Sequence, residues 1–323
     1  MTKSSAVDRR VALAVLAAAL VPGRAIAAAP DDGLTAINGR RLWVLDHGDP
    51  ALPALLYVHG GPGVGAFDFE RHMMPHLDGR YRVVSVDQRG ALRSDPIAAD
   101  APVTVDDLIA DYEAIRERLG IARWTLIGHS FGGLIALRYV LAHPQGVTRL
   151  VLESPVIDAA SSLHWLMGAA AQRLNGIDTA AALEAVTLSS PTTPVDPAFV
   201  PRMERVMAAL GPRRQDLYVV QAEHRAMFSR LAEQAPFPED RWSRGERPGR
   251  ALLNSPDLYR PMLASVASVS APLLLVRGAG DHVTSPAEID AVARAGGRVV
   301  TIDGAGHFVH VEQPDALAAA LTG

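Results

Sequence analysis

Residues 125–133 read TLIGHSFGG, a short apolar run followed by one serine enclosed by glycines. The preceding run WTLI predicts a strand and the following GLIALRYVL predicts a helix, so the glycine-rich turn joins a strand to a helix. In that context Ser130 is expected on a sharp turn that exposes its hydroxyl as a nucleophile, with Gly128 and Gly132 avoiding collisions with the neighbouring strand and helix. The competing interpretation is a βα turn whose serine is incidental.

A serine hydroxyl needs a base, and the base needs a third group that orients it. Two strand-like runs near the end of the chain supply candidates: Asp281 follows LLLVRG, and His307 follows VVTID. The carboxyl ends of parallel strands share one edge of a sheet, so Ser130, Asp281 and His307 are expected to lie together. Taken singly, Asp281 is also consistent with a helix cap or turn, and His307 with a packed histidine.

Other residues compete for these roles. Asp303 and Asp290 are weaker candidates for the acid, and His310, three residues after His307, is expected to be structural. The eleven histidines show no ligand spacing, so we expect no metal site.

The loop YVHGGPG, residues 57–63, follows an early strand and is the expected source of an oxyanion-binding N–H group. Pro62 has no N–H, so Gly61 is the first choice and Gly60 the second. The second donor is expected to be the N–H of Phe131, next to the nucleophile. A plain turn is the alternative interpretation of this loop.

The chain alternates strand-like and helix-like segments, which is typical of a mostly parallel sheet covered by helices. From about residue 158 to 265 the strand pattern stops and helical segments follow, among them AFVPRMERVMAAL and DLYVVQAEHRAMFSRLAEQ. We therefore predict an α/β core in two parts, residues 30–157 and 266–323, interrupted by a helical cap at 158–265. The strands are predicted at RLWVLDHG, ALLYVHG, RVVSVDQ, WTLIGHS, VTRLVLES, PLLLVRG and RVVTID.

Residues 1–29 have the pattern of a signal peptide: Lys3 and the pair Arg9 and Arg10 precede an apolar run and the small-residue stretch AIAAA. Cleavage is expected after Ala27 or Ala29, which predicts an exported protein, periplasmic or secreted, without stable membrane insertion. A twin-arginine route and an uncleaved anchor are the alternatives.

Composition excludes some partners. The net charge is −4 and there is no run of lysine or arginine, so we expect no nucleic-acid partner. The chain has no cysteine, and its stability must come from the core without disulfides.

With HGGPG, DQRG and GHSFGG together, the chain resembles α/β-hydrolases with a helical cap, and in particular the prolyl aminopeptidase branch. The resemblance runs from about Asn38 to the end of the chain. It implies a central sheet of about eight mostly parallel strands with helices on both faces, a Ser-His-Asp triad acting through an acyl-enzyme, and no cofactor. The implied substrate is a small molecule or a short peptide. For a peptidase, the resemblance implies an aminopeptidase that acts on an N-terminal proline or small apolar residue.

The chain departs from that branch at several positions. His129 and Phe131 flank Ser130 where prolyl aminopeptidases usually have glycine and tryptophan, and Leu92 stands where DQRG is usually followed by another glycine. A carboxylic ester or lactone hydrolase for a small hydrophobic substrate therefore remains the alternative. A non-catalytic binding protein of this fold is a remote third reading, and Ser130 argues against hydrolases with an aspartate nucleophile.

Substrate contacts are expected from the cap. An aminopeptidase needs carboxylates for the substrate ammonium, and Glu204 and Glu223 are the candidates, although each is also consistent with a solvated helix position. Trp165 and Phe228 are candidates for an apolar substrate, although a helix packing face would have the same composition. Outside the cap, Gly60 and His129 are further candidates for substrate contacts.

Overall fold

The computed structural model describes residues 33–98 and 101–322, apart from the side chains of Met227 and Phe228. The predicted signal peptide, residues 1–29, lies outside the described residues. One sheet is formed by β1 Leu34–Ile37, β2 Arg40–His47, β3 Ala54–Val58, β4 Arg82–Val86, β5 Trp124–His129, β6 Val147–Glu153, β7 Leu273–Gly278 and β8 Arg298–Ile302.

The strand order is β1-β2-β4-β3-β5-β6-β7-β8. Strands β3 to β8 are parallel to one another, whereas β2 pairs antiparallel with both β4 and β1. The predicted mostly parallel sheet of about eight strands is confirmed. The seven strands predicted from sequence correspond to β2–β8, and β1 is the one that the pattern missed.

Both faces of the sheet are covered by helices. The described helices are α1 Phe67–Leu77, α2 Val105–Arg118, α3 Phe131–Ala142, α4 Ala159–Leu174, α5 Thr179–Ser189, α6 Phe199–Ala209, α7 Met227–Gln234, α8 Glu246–Leu253, α9 Pro286–Arg294, α10 Val309–Glu312 and α11 Pro314–Thr322. Side chains alternate along each strand, so Leu56 and Val58 of β3 pack with α2, α3 and α9. Leu55 and Tyr57 face the other way and pack with α1 and α11.

Helices α4 to α8 lie in the chain between β6 and β7, within the range predicted as the cap. The cap begins where the Asp158 side chain accepts the Ser161 N–H at the start of α4, and a second oxygen of Asp158 accepts the Met262 N–H at the return to the core. Its interior is a separate apolar cluster that includes Met167 of α4 and Phe199 of α6. Both ends of the insertion are thus fixed by one buried carboxylate.

One predicted cap helix is wrong. The segment DLYVVQAEHRAMFSRLAEQ is not continuous: a 3₁₀ helix covers 211–217, a second covers 222–224, and only α7 is α-helical. Tertiary bonds compete for the backbone here, because the Tyr218 carbonyl accepts the His307 N–H and the Glu312 carboxylate accepts the N–H groups of Val220 and Gln221. Among the described residues, no helix combines the length and the apolar character needed to cross a membrane.

Candidate active site

Ser130 lies between β5 and α3 in a conformation that few residues other than glycine adopt. Its φ is 53° and its ψ is −126°, and such a backbone typically costs on the order of 1–3 kcal/mol. Three hydrogen bonds hold the turn: the Ser130 N–H donates to the Glu153 carbonyl at 3.1 Å, and the Ser130 carbonyl accepts the N–H groups of Gly133 and Val156, each at 2.8 Å. The strain presents the hydroxyl to the cavity described below.

The glycines around Ser130 are required by close packing. A Cβ on Gly128 would lie 2.5 Å from the Gly132 carbonyl oxygen and 2.8 Å from the Ala136 Cβ. A Cβ on Gly132 would overlap the carbonyl oxygens of Val58 and His59 in β3 and the loop after it. Helix α3 can therefore begin directly against β3 only because these positions carry no side chain.

Asp281 and His307 meet as the sequence order predicted. His307 Nδ1 lies 3.0 Å from Asp281 Oδ1, and both side chains are buried. Burial acts to raise the pKa of Asp281, but the adjacent His307 imidazole and the bonds from Thr284 and Val283 outweigh it and hold the pKa well below its usual range. An ionised Asp281 can accept the Nδ1 proton of His307, which leaves Nε2 able to accept another.

The HGGPG loop is fixed by DQRG. The Gln88 N–H donates to His59 Nε2 at 3.1 Å, which leaves the ring proton on Nδ1, 2.8 Å from the Gly60 carbonyl oxygen. Burial lowers the pKa of His59, so the ring is held neutral. Gly60 packs closely on the nucleophile, since a Cβ there would lie 3.3 Å from Ser130 Oγ. Gly61 follows with φ 118°, a conformation that favours glycine.

A cavity of about 120 Å³ opens at Ser130. Five of the predicted site residues line it: Gly60, Gly61, His129, Ser130 and His307. Phe131 is the first residue of α3, where helix N–H groups have no acceptor within the helix, and it is therefore placed to donate next to Ser130.

The structure does not bring Glu204, Glu223 or Trp165 to this cavity. Glu204 is half-buried on α6, Glu223 is exposed in the 3₁₀ helix 222–224, and Trp165 on α4 is 42% exposed. The physical reason is that the cap helices pack on one another, whereas the segment that reaches the cavity contributes Arg214, Gln215 and Tyr218. The side chain of Phe228 lies outside the described part of the chain. The weaker acid candidates are both exposed, Asp303 after β8 and Asp290 on α9 beside Arg294.

The sequence reasoning missed a buried ionic cluster behind the nucleophile. His310 Nδ1 is 2.8 Å from Glu153 Oε1 at the end of β6, and its Nε2 is 3.3 Å from Asp68 Oδ2 in the first turn of α1. Burial works to lower the pKa of His310, but the two carboxylates raise it to about 10, so the ring is a cation. No periodicity marks these residues. Asp68 could have been noticed because it is an acidic residue on an otherwise buried helix face.

His129, Glu153 and His310 are the described residues whose donor atoms come close enough to hold a metal ion, within 4.8 Å of one another. Both nitrogens of His310 are engaged by carboxylates, and a doubly protonated ring has no lone pair for a metal. The present arrangement fits an ion pair and does not fit a metal centre.

Comparisons with known proteins agree on the architecture. A family model described as the alpha/beta hydrolase fold matches residues 53–314. A proline iminopeptidase of Xylella fastidiosa (strain Temecula1) is 39% identical over 145 residues, 45% of this chain and 46% of that protein. A proline iminopeptidase of Neisseria gonorrhoeae is 38% identical over 122 residues, which is 38% of either chain. The matches span less than half the length of these curated relatives.

A solved structure matches over a longer range. The proline iminopeptidase-related protein of Thermus thermophilus is 26% identical to this chain with a TM-score of 0.71, and the match covers 90% of this chain and 94% of that one. The match therefore includes the cap as well as the sheet.

Proposed function

The chain belongs to the alpha/beta hydrolase fold family, and on that premise we propose that it is a serine hydrolase with Ser130 as nucleophile, His307 as base and Asp281 as orienting acid. The observation that carries the proposal is the 3.0 Å contact between His307 Nδ1 and Asp281 Oδ1, in a cavity that His307 shares with a strained Ser130. If the buried His–Asp pair had only a structural role, it would not require a serine with a positive φ in the same cavity.

The reaction follows from these positions. Ser130 Oγ attacks the substrate carbonyl carbon while His307 Nε2 takes its proton, and the oxyanion accepts hydrogen bonds from the N–H groups of Gly61 and Phe131. When the C–N or C–O bond breaks, His307 returns the proton to the leaving group and an acyl-Ser130 remains. Water, deprotonated by His307, then releases the acid and restores the serine.

For the substrate we propose an N-terminal proline or small apolar residue with a free amine. The names of the relatives support this reading, and so does the loop HGGPG braced by Gln88 of DQRG. The cavity volume of about 120 Å³ suits an acyl group of a few heavy atoms. The remainder of a peptide would then leave towards Arg214 and Gln215, which line the same cavity from the cap.

A carboxylic ester or lactone hydrolase is the second candidate, favoured by one observation: Glu204 and Glu223, the expected ammonium ligands, do not line the cavity. The experiment compares proline p-nitroanilide with its N-acetyl derivative and with p-nitrophenyl butyrate, in wild type and in Ser130→Ala. The proposal expects cleavage of the free-amine substrate and loss of all activity in the variant. Equal cleavage of free and N-blocked substrates would select the ester hydrolase, and full activity of Ser130→Ala would reject both.

We propose export from the sequence pattern of residues 1–29 alone. Their charged start, apolar run and small-residue end have the signal-peptide pattern. N-terminal sequencing of the protein recovered from a secreting host tests it: the expected mature chain begins at Ala28 or Pro30. A chain that begins at the initiator Met and fractionates with the cytosol would contradict it.

A further inference from the structure

We propose that Asp68 is the specificity-determining carboxylate of this site and receives the protonated amine of the substrate acyl group. The inference rests on the proposed function, which requires a carboxylate near Ser130 and finds none among the predicted cap residues. Asp68 meets that requirement from the core side, in the first turn of α1.

The position of Asp68 fits the role. It lines the cavity together with Gly60, Gly61 and Ser130, the groups proposed to hold the reacting carbonyl. The residue is 7% exposed, and it borders the cavity that a substrate would enter. Oδ1 accepts one hydrogen bond at 2.8 Å, from the Phe69 N–H, and Oδ2 contacts His310 at 3.3 Å. A carboxylate has about four acceptor positions, so capacity remains for an ammonium group.

The charge balance of the buried cluster also points to a cation. Burial would raise the pKa of Asp68, yet the His310 contact and nearby imidazoles lower it to about 2, and Glu153 is likewise shifted down. In the described part of the chain, His310 is the one cation within ion-pair distance of these two carboxylates. Burial lowers the pKa of His129, the remaining neighbour, to about 3, so it stays neutral.

One positive and two negative charges leave the cluster of Asp68, Glu153 and His310 with a net charge of −1. Uncompensated charge in a water-poor interior is costly, and an ammonium ion entering the cavity would compensate it. A neutral acyl group of the same shape would leave the charge as it is. The cluster therefore favours a cationic substrate over its uncharged analogue.

The competing role for Asp68 is purely structural, as a partner of His310. Glu153 separates the two roles, because it is the other carboxylate on His310 and does not line the cavity. Asp68→Asn and Glu153→Gln each remove one negative charge and one partner of the same imidazolium. Only the first removes a carboxylate that a substrate can touch.

The experiment measures kcat/KM for the prolyl and the cyclopentanecarbonyl p-nitroanilides, which have the same ring shape and differ in the amine. Asp68→Asn is expected to lower kcat/KM for the prolyl substrate by about 10- to 100-fold while sparing the uncharged one. Glu153→Gln is expected to give a smaller difference between the two substrates, because it lowers the charge of the cluster but leaves the carboxylate that contacts the amine. Equal losses on both substrates in Asp68→Asn, or the same split in Glu153→Gln, would overturn the proposal.

A binding measurement covers the case in which a variant does not fold or the wild type cleaves neither substrate. Calorimetry on the wild-type protein compares prolinamide with cyclopentanecarboxamide near neutral pH. We expect prolinamide to bind at least about tenfold more tightly. Equal dissociation constants would overturn the role of Asp68, whereas an inactive protein that still prefers the cation would contradict only the proposed function.

Discussion

Alkaline pH is expected to destabilise this protein through His310. The His310 imidazolium is fully buried between Asp68 and Glu153, and the His129 ring packs against it. The two carboxylates raise its pKa from 6.5 to about 10. A group with a raised folded pKa contributes stability that is complete below its unfolded pKa and is lost as the pH approaches the folded value. Between about pH 7.5 and 10 the unfolded chain carries a neutral histidine while the folded chain keeps the proton.

Each pH unit in that window costs about 1.36 kcal/mol, so the free energy of unfolding should fall by about 3 kcal/mol between pH 7.5 and 10. Below about pH 9 few other groups obscure the effect, since Lys3 is the one lysine of the chain. Burial raises the folded pKa of Tyr57 and Tyr112, so these tyrosines add a loss of the same sign as the pH nears the ordinary tyrosine value of about 10, and the range from about pH 7.5 to 9 isolates His310. Histidines with lowered pKa values, such as His129, have finished titrating before this window begins.

The assay is urea denaturation followed by tryptophan fluorescence at several pH values, with Glu153→Gln as the matched variant. The variant keeps the imidazole but loses one of its two carboxylates, so its unfolding free energy should depend less steeply on pH. Long-range ¹H–¹⁵N spectra should show both nitrogens of His310 protonated at about pH 8. A neutral His310 ring at that pH, or an unfolding free energy of the wild type that stays constant across the window, would show that His310 is not a buried cation.

Three further outcomes are expected. Asp281→Asn should lower kcat by about 10³- to 10⁴-fold in a protein that still folds, since the variant loses the charge that orients the base; a loss below tenfold would speak against its role. Gly132→Ala should yield no stably folded protein, because the new Cβ overlaps the carbonyl oxygens of Val58 and His59, and a wild-type melting temperature would contradict that packing. Gly168→Ala, in the interior of α4 with its nearest contact at 3.7 Å, should instead stabilise the protein by about 0.5–1 kcal/mol, and a lower melting temperature would contradict it.

Much of the fold was predictable because its signals are local. Seven strands follow from apolar runs bounded by turn residues, and α2 and α3 follow from helical periodicity and their terminators. The short strand β1, LTAI, was missed because four residues carry little pattern. The segment 216–234 was predicted as one helix because propensity cannot show that the Glu312 carboxylate captures the N–H groups of Val220 and Gln221.

Some residues of the candidate site could likewise be predicted from the sequence, and others could not. Ser130, Asp281 and His307 could be placed together because each follows a strand of one parallel sheet, and the chain order fixed their partners. The other residues that line the cavity could not be placed there, because Asp68 reaches it from α1 and Arg214 from a 3₁₀ segment of the cap, and no periodicity marks either position. Leu92 stands where a glycine is expected, and its φ of 40° lies in the region that glycine usually adopts. The backbone conformation is therefore kept although the glycine is absent.

If Ser130 is the nucleophile of a hydrolase, it can be captured covalently. The protein is treated with a fluorophosphonate probe and digested, and the modified residue is identified by mass spectrometry. We expect one phosphonylated peptide, modified at Ser130, with activity lost in proportion to labelling and no labelling of Ser130→Ala. Modification of another serine with the same loss of activity, or an unmodified Ser130 in an inactivated enzyme, would contradict it.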